Sequence, residues 1–145
     1  MGKTYGIIMA VIVGICLGTQ PAINAVLGKA ITPKIAAFHS VLTSTVIMLT
    51  IILVSGNFKE YVNIKNVPPL YWIGGAFGIV IVFLSIKVVP ILGAASALSI
   101  FVSLHVITGA VISHFGLFGV TKSPIDFVRL FGIILILIGV KIVVR

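Results

Sequence analysis

Carboxylates are almost absent from this 145-residue chain: Glu60 and Asp126 stand against ten Lys and Arg. Neither lies in a long apolar stretch, so the intramembrane acid that cation pumps usually trade against protons is missing. If protons are coupled to anything, His39 or His105 must carry them. There is no carboxylate pair, no Ser-His-Asp constellation at membrane depth, no metal-ligand cluster and no phosphate loop. The chain does not read as an enzyme, and no cofactor or metal is expected. The one cysteine, Cys16, excludes an internal disulfide framework and reads as a small buried hydrophobe. Strand-like alternation is also missing, which argues against a barrel.

What the chain does have is apolar length. Hydrophobic residues make up 60% and charged residues 8%, far below the roughly 25% charged residues of a soluble domain. A helix crosses the hydrocarbon with roughly 20 apolar residues, and five such stretches lie near 5–27, 35–55, 70–87, 92–113 and 127–144. The expected fold is an all-α integral membrane protein, multi-pass in the inner (plasma) membrane, with one transmembrane domain spanning 1–145. An odd number of spans puts the termini on opposite sides. Gln20, Pro21 and Asn24 stand where a cleaved signal would carry small residues, so the first stretch reads as a retained helix. Thr32 and Pro33 suit a cap and first turn, and Pro90 is expected to end the third helix. Tyr71 and Trp72, after a polar loop from Gly56 to Pro69, suit the headgroup level.

The net charge of +8 comes from cations scattered at helix ends. That pattern fits lipid phosphates and not nucleic acid. Lys3, Lys59, Lys65, Lys122 and Arg129 fall on one side of the membrane; Lys29, Lys34, Lys87, Lys141 and Arg145 fall on the other. Orientation follows an excess of Lys and Arg in cytoplasmic loops, and here neither side has one. The chain is balanced for insertion in both directions.

Helices in lipid associate by close packing, so small residues mark candidate contacts. Gly6, Ala10, Gly14, Gly18 and Ala22 recur at every fourth position of the first stretch, a groove against which another helix is expected to lie. Cys16, Gln20 and Asn24 repeat at the same spacing on the opposite side, with the two amides aimed at a neighbour or a cavity. They suit substrate binding and interhelical hydrogen bonding equally. The second stretch carries His39, Ser40, Thr43, Ser44 and Thr45 within two turns, and the fourth carries Ser96, Ser99, Ser103 and His105. Serine and threonine often bond back to their own helix, so the histidines are the stronger signal. An ionisable group at membrane depth suggests function, although each histidine singly also suits a satisfied structural role. Gly132 and Gly139 share one face of the last stretch and would permit a close crossing by a like helix.

Three segments occur in order along the chain: Gly18-Thr-Gln20-Pro-Ala-Ile-Asn24-Ala-Val-Leu27, Val89-Pro90-Ile-Leu-Gly93-Ala-Ala95 and His114-Phe-Gly-Leu-Phe-Gly119. Together they resemble the YdcZ-like family of the drug/metabolite transporter superfamily. The resemblance covers the whole chain and implies a five-helix half-transporter. Such units occur as dual-topology proteins, as oppositely oriented pairs or as fused ten-helix chains. The gap between Gly132 and Gly139 is similar to the glycine stripe on the dimerising helix of small multidrug-resistance proteins. This chain has His105 where the family often has Gln, and Ser113 where it often has Asp.

The expected function is a secondary-type transporter of a small polar metabolite, alternating access in an antiparallel homodimer whose two copies form a ten-helix inverted repeat. Gln20, Asn24, His39, Thr43, Ser103 and His105 are the expected substrate contacts, with Gly132 and Gly139 at the dimer interface. Because no carboxylate lies at membrane depth, a neutral, zwitterionic or weakly charged solute is expected. A dual-topology anion channel and a non-transporting or heterodimeric partner subunit are the alternatives. Reporters fused to the carboxyl terminus should read out on both sides of the membrane. Adding two or three Lys to one side should collapse this to one orientation; a single orientation of the unaltered chain would remove the dual-topology expectation.

Overall fold

The computed structural model describes residues 3–144, and among these there are helices and no strands. Arg145, counted above among the cations, lies outside the described residues, as does the side chain of Lys3. The long helices are α1 (Lys3–Ala30), α2 (Pro33–Ser55), α3 (Gly74–Leu92), α4 (Ala94–Phe115) and α5 (Phe127–Val143). Four segments are long and apolar enough to cross a membrane: Thr4–Ala30, Pro33–Ser55, Pro69–Leu92 and Ala94–Phe115. At 17 residues, α5 sits at the short end of the roughly 17–25 residues that a crossing uses.

The helix ends follow local chemistry. Thr32 caps α2, its hydroxyl oxygen accepting from the Ile35 N–H at 3.3 Å, with Pro33 in the first turn. Gly56, at φ +72°, closes the same helix in the left-handed conformation that costs glycine least. Asp126 caps α5 by accepting from the Arg129 N–H at 2.7 Å, a carboxylate at the positive end of the helix dipole. Pro90 does not end the third helix, contrary to the sequence expectation. Helix α3 runs through it to Leu92, and the break comes at Gly93, where φ is +77°. Proline removes its own N–H donor and crowds the carbonyl four residues before it, and two residues from the helix end that disturbance is confined to the last turn. Lys87 is thus placed inside α3, its ammonium over the Phe83 ring at 4.4 Å from the centroid.

The chain divides into two compact units, Met1–Ile91 and Leu92–Arg145. In the first, Ala36 and Ala37 of α2 pack with Ile86 of α3, flanked by Leu27, Val82 and Phe83. The row of α1 that enters this packing is the polar one. Asn24 is buried and donates its Nδ2–H to the Ser40 Oγ at 3.1 Å. One turn on, Gly28 lies directly against the Ile86 side chain. The groove of small residues was expected to receive another helix, yet nothing else in that unit comes within 4 Å of where a Cβ would stand on Gly6, Gly14 or Gly18. Apolar surface gains little by leaving lipid, so the helix turns toward the partner that satisfies its amide. Cys16, higher on the same row and beyond the packed end, is exposed and not buried as expected.

In the second unit α4 packs on α5. Their connection is pinned: the Ile125 N–H donates to His114 Nδ1 at 3.0 Å and the Ser123 N–H to the Ser113 carbonyl at 2.8 Å. Arg129 Nη1 donates to the Ser123 Oγ at 2.6 Å.

Gly28→Val should lower the melting temperature of the purified protein, because overfilling a packed contact costs about 1–3 kcal/mol. Gly14→Val should leave that of the detergent-solubilised monomer unchanged. Equal effects would show that the two rows of α1 are not distinguished by packing.

Candidate functional site

Beyond the Asn24–Ser40 bond, α1, α2 and α3 line an open cleft of about 810 Å³. One face of α2 forms its longest wall, with Ser40, Ser44, Met48 and Ile52 at four-residue intervals and Thr45 beside them. From α3 come Ile79 and Val82 together with Gly75 and Gly78, which hold that wall back for want of side chains. Gln20 projects from α1. Its amide has no hydrogen bond to another described residue, unlike that of Asn24 one turn below.

The end of the cleft is closed by the segment between α2 and α3, which folds into 3₁₀ turns over Asn57–Asn66. With about 3.0 residues per turn, side chains three apart stack in columns. Asn57 and Glu60 form one column and Phe58 and Tyr61 the next, and all four line the cleft. The two rings stack with centroids 6.2 Å apart. Lys59 and Lys65 share the third column and are not part of the lining.

Two of the hydroxyls within are engaged through their hydrogens. The Ser44 hydroxyl donates to the Ser40 carbonyl at 2.9 Å and the Thr45 hydroxyl to the Val41 carbonyl at 2.8 Å. Each hydrogen is thereby committed to its own helix, leaving oxygen lone pairs for a ligand. Glu60 adds a carboxylate. It is the only charged side chain in the lining.

The other expected site residues are placed as follows. His39 and Thr43 are exposed on α2, each one residue before a lining serine and so about 100° round the helix from the cleft. Ser103 is buried and donates to the Ile100 carbonyl at 2.8 Å. His105 is exposed on α4. Gly132 borders a smaller cleft of about 450 Å³ in the second unit, with Gly109, Ser113, Ser123 and Arg129; His105 is not part of that lining. Nothing in the second unit comes within 4 Å of a Cβ built on Gly132 or Gly139. Glu60, Phe58 and Tyr61 were not foreseen. Their signal was the three-residue spacing of two polar and two aromatic positions.

A protein-family model described as "Putative inner membrane exporter, YdcZ" matches residues 5–142. The chain belongs to this family. It is a multi-pass inner membrane protein of an exporter family, which is not an enzyme class. Nothing among curated proteins or solved structures matches the chain. The match runs across both units and so takes in Gln20, Asn24 and the 3₁₀ segment with Glu60.

The Asn24–Ser40 bond should show as a coupling in a double-mutant cycle. Asn24→Ala and Ser40→Ala should each lower stability, and the double variant should lose less than their sum. The difference expected for a bond between membrane helices is about 0.6 kcal/mol. Strictly additive losses would mean that the bond does not hold the helices together.

Proposed function

We propose that the protein is a secondary-type transporter that exports a small polar metabolite by alternating access, as an antiparallel homodimer. The observation that carries this reading is the cleft itself. A mainly apolar cavity opens between membrane-spanning helices, and the amide of Gln20, bonded to no other described residue, projects into it from a span. Gln20 binds the solute, while Asn24, engaged with Ser40, fixes the angle at which α1 and α2 open around it. Two oppositely inserted copies supply the inverted repeat that lets such a site face each side in turn. The even division of cations supports that arrangement. So do the glycine faces of α1 and α5, which leave room for a second copy to approach at Gly132 and Gly139. His39, Thr43, Ser103 and His105 are proposed as further lining in the assembled dimer.

The test is flux in proteoliposomes, using a solute selected by thermal-shift screening of the purified protein. Uptake should saturate. Gln20→Ala should lower kcat/KM by roughly tenfold or more, because a site built around a hydrogen-bonding group loses affinity when the group is removed. Its melting temperature should stay at the wild-type value, since Gln20 makes no bond to the rest of the fold. A conductance that does not saturate would replace the transporter with a channel. A normal kcat/KM in Gln20→Ala would move the site elsewhere.

A further inference from the structure

Ten basic and two acidic side chains are distributed along this chain. None of the described basic side chains lines the large cleft of the first unit, and one of the two acids does. We infer that this cleft selects solutes carrying a single positive charge on an apolar body, with Glu60 as the counter-ion and the Phe58–Tyr61 pair as the surface against which the cationic end rests. The inference rests on the proposed solute site and revises its substrate class: the polar part of the solute is a single cationic end, and the remainder is apolar.

Three independent features converge on it. The first is charge. Low-dielectric walls of Met48, Ile52, Ile79 and Val82 strengthen any field inside the cleft, and the only formal charge contributing to that field from the lining is negative. The 3₁₀ repeat makes this specific, because it turns Glu60 inward while placing the neighbouring Lys59 and Lys65 on a separate column. The second is aromatic. Two stacked rings beside the carboxylate present negative quadrupole faces, which attract ammonium groups and repel anions. The third is hydrogen-bond polarity along the α2 wall, the amide donors of Gln20 and Asn57 standing elsewhere in the lining. With the Ser44 and Thr45 hydrogens donated to backbone carbonyls, the hydroxyls offer lone pairs to a donor and little to an acceptor.

These features also discriminate. A solute with its own carboxylate or phosphate would bring that group into a cleft with no cation among its described lining residues, and burying an anion there without a counter-charge is costly. Zwitterionic metabolites and phospholipid headgroups are disfavoured on that ground, and simple anions more strongly. The absence of a carboxylate from the spans, which argued against cationic solutes in the sequence, is offset by one delivered from the connection between α2 and α3.

The test uses the purified full chain and three probes that share a phenylbutyl body: 4-phenylbutyltrimethylammonium, 4-phenylbutanesulfonate and 4-phenylbutanol. The cation should bind at least about tenfold more tightly than the sulfonate, a difference of roughly 1.4 kcal/mol. Glu60→Gln should weaken the cation by a similar factor, leave the alcohol within about twofold and retain the wild-type melting temperature, since Glu60 is exposed. Glu60→Asp should keep most of the preference, and Lys59→Gln should not diminish it. Equal binding of cation and sulfonate, or cation binding unchanged in Glu60→Gln, would overturn the inference. The same proteoliposomes separate this result from the transport reading. Charge-selective binding that depends on Glu60 but produces no flux would uphold the inference and sink the transporter. Saturable flux of the alcohol or sulfonate that depends on Gln20 but not on Glu60 would do the reverse.

Discussion

An amide inside a bilayer has no water to turn to, and the hydrogen bond from Asn24 to Ser40 is how this chain meets that requirement. The bond joins α1 to α2 midway between the packed cluster of Ala36, Ala37 and Ile86 and the open cleft above it. Below it small residues allow backbones to approach, as Gly28 does to Ile86. Above it larger side chains and a polar row hold the helices apart.

Satisfying that amide fixes the rotation of α1, and the consequence is felt on its opposite side. Gly6, Gly14 and Gly18 face open space in their unit, so the row best suited to a close crossing is the one left unused there. A soluble protein would cover such a face to remove it from water. In lipid no comparable penalty applies, and a helix can keep an apolar groove free for association. The glycine face of α5 is in the same position.

The connections do more than join spans. Between α2 and α3, ten residues coil into 3₁₀ turns that sort acid and aromatics from lysines. Between α4 and α5, His114 and Arg129 tie the connection to the helix ends through their bonds to Ile125 and Ser123. Histidine in that position is a structural acceptor of a backbone N–H, which accounts for a polar residue at the end of an apolar helix.

Apolar length and the start of α2 were legible from the sequence alone, since each depends on residues close together in the chain. Hydropathy marked the four segments long and apolar enough to cross a membrane, Thr32 and Pro33 announced the start of α2, and the polar row of α1 was visible in its four-residue repeat. The tertiary structure decided what those rows meet. A repeat states that Gln20 and Asn24 share a face but not that Asn24 has Ser40 within reach while Gln20 has none. It could not weigh the groove of small residues against the amide, because the outcome depends on a partner sixteen residues away. Likewise the end of α3 was set by the left-handed Gly93 and not by Pro90. The role of Glu60 was invisible for the same reason. A carboxylate in a polar loop reads as solvated until the turn that carries it is folded back over the helices, and three-dimensional proximity is not written into local sequence.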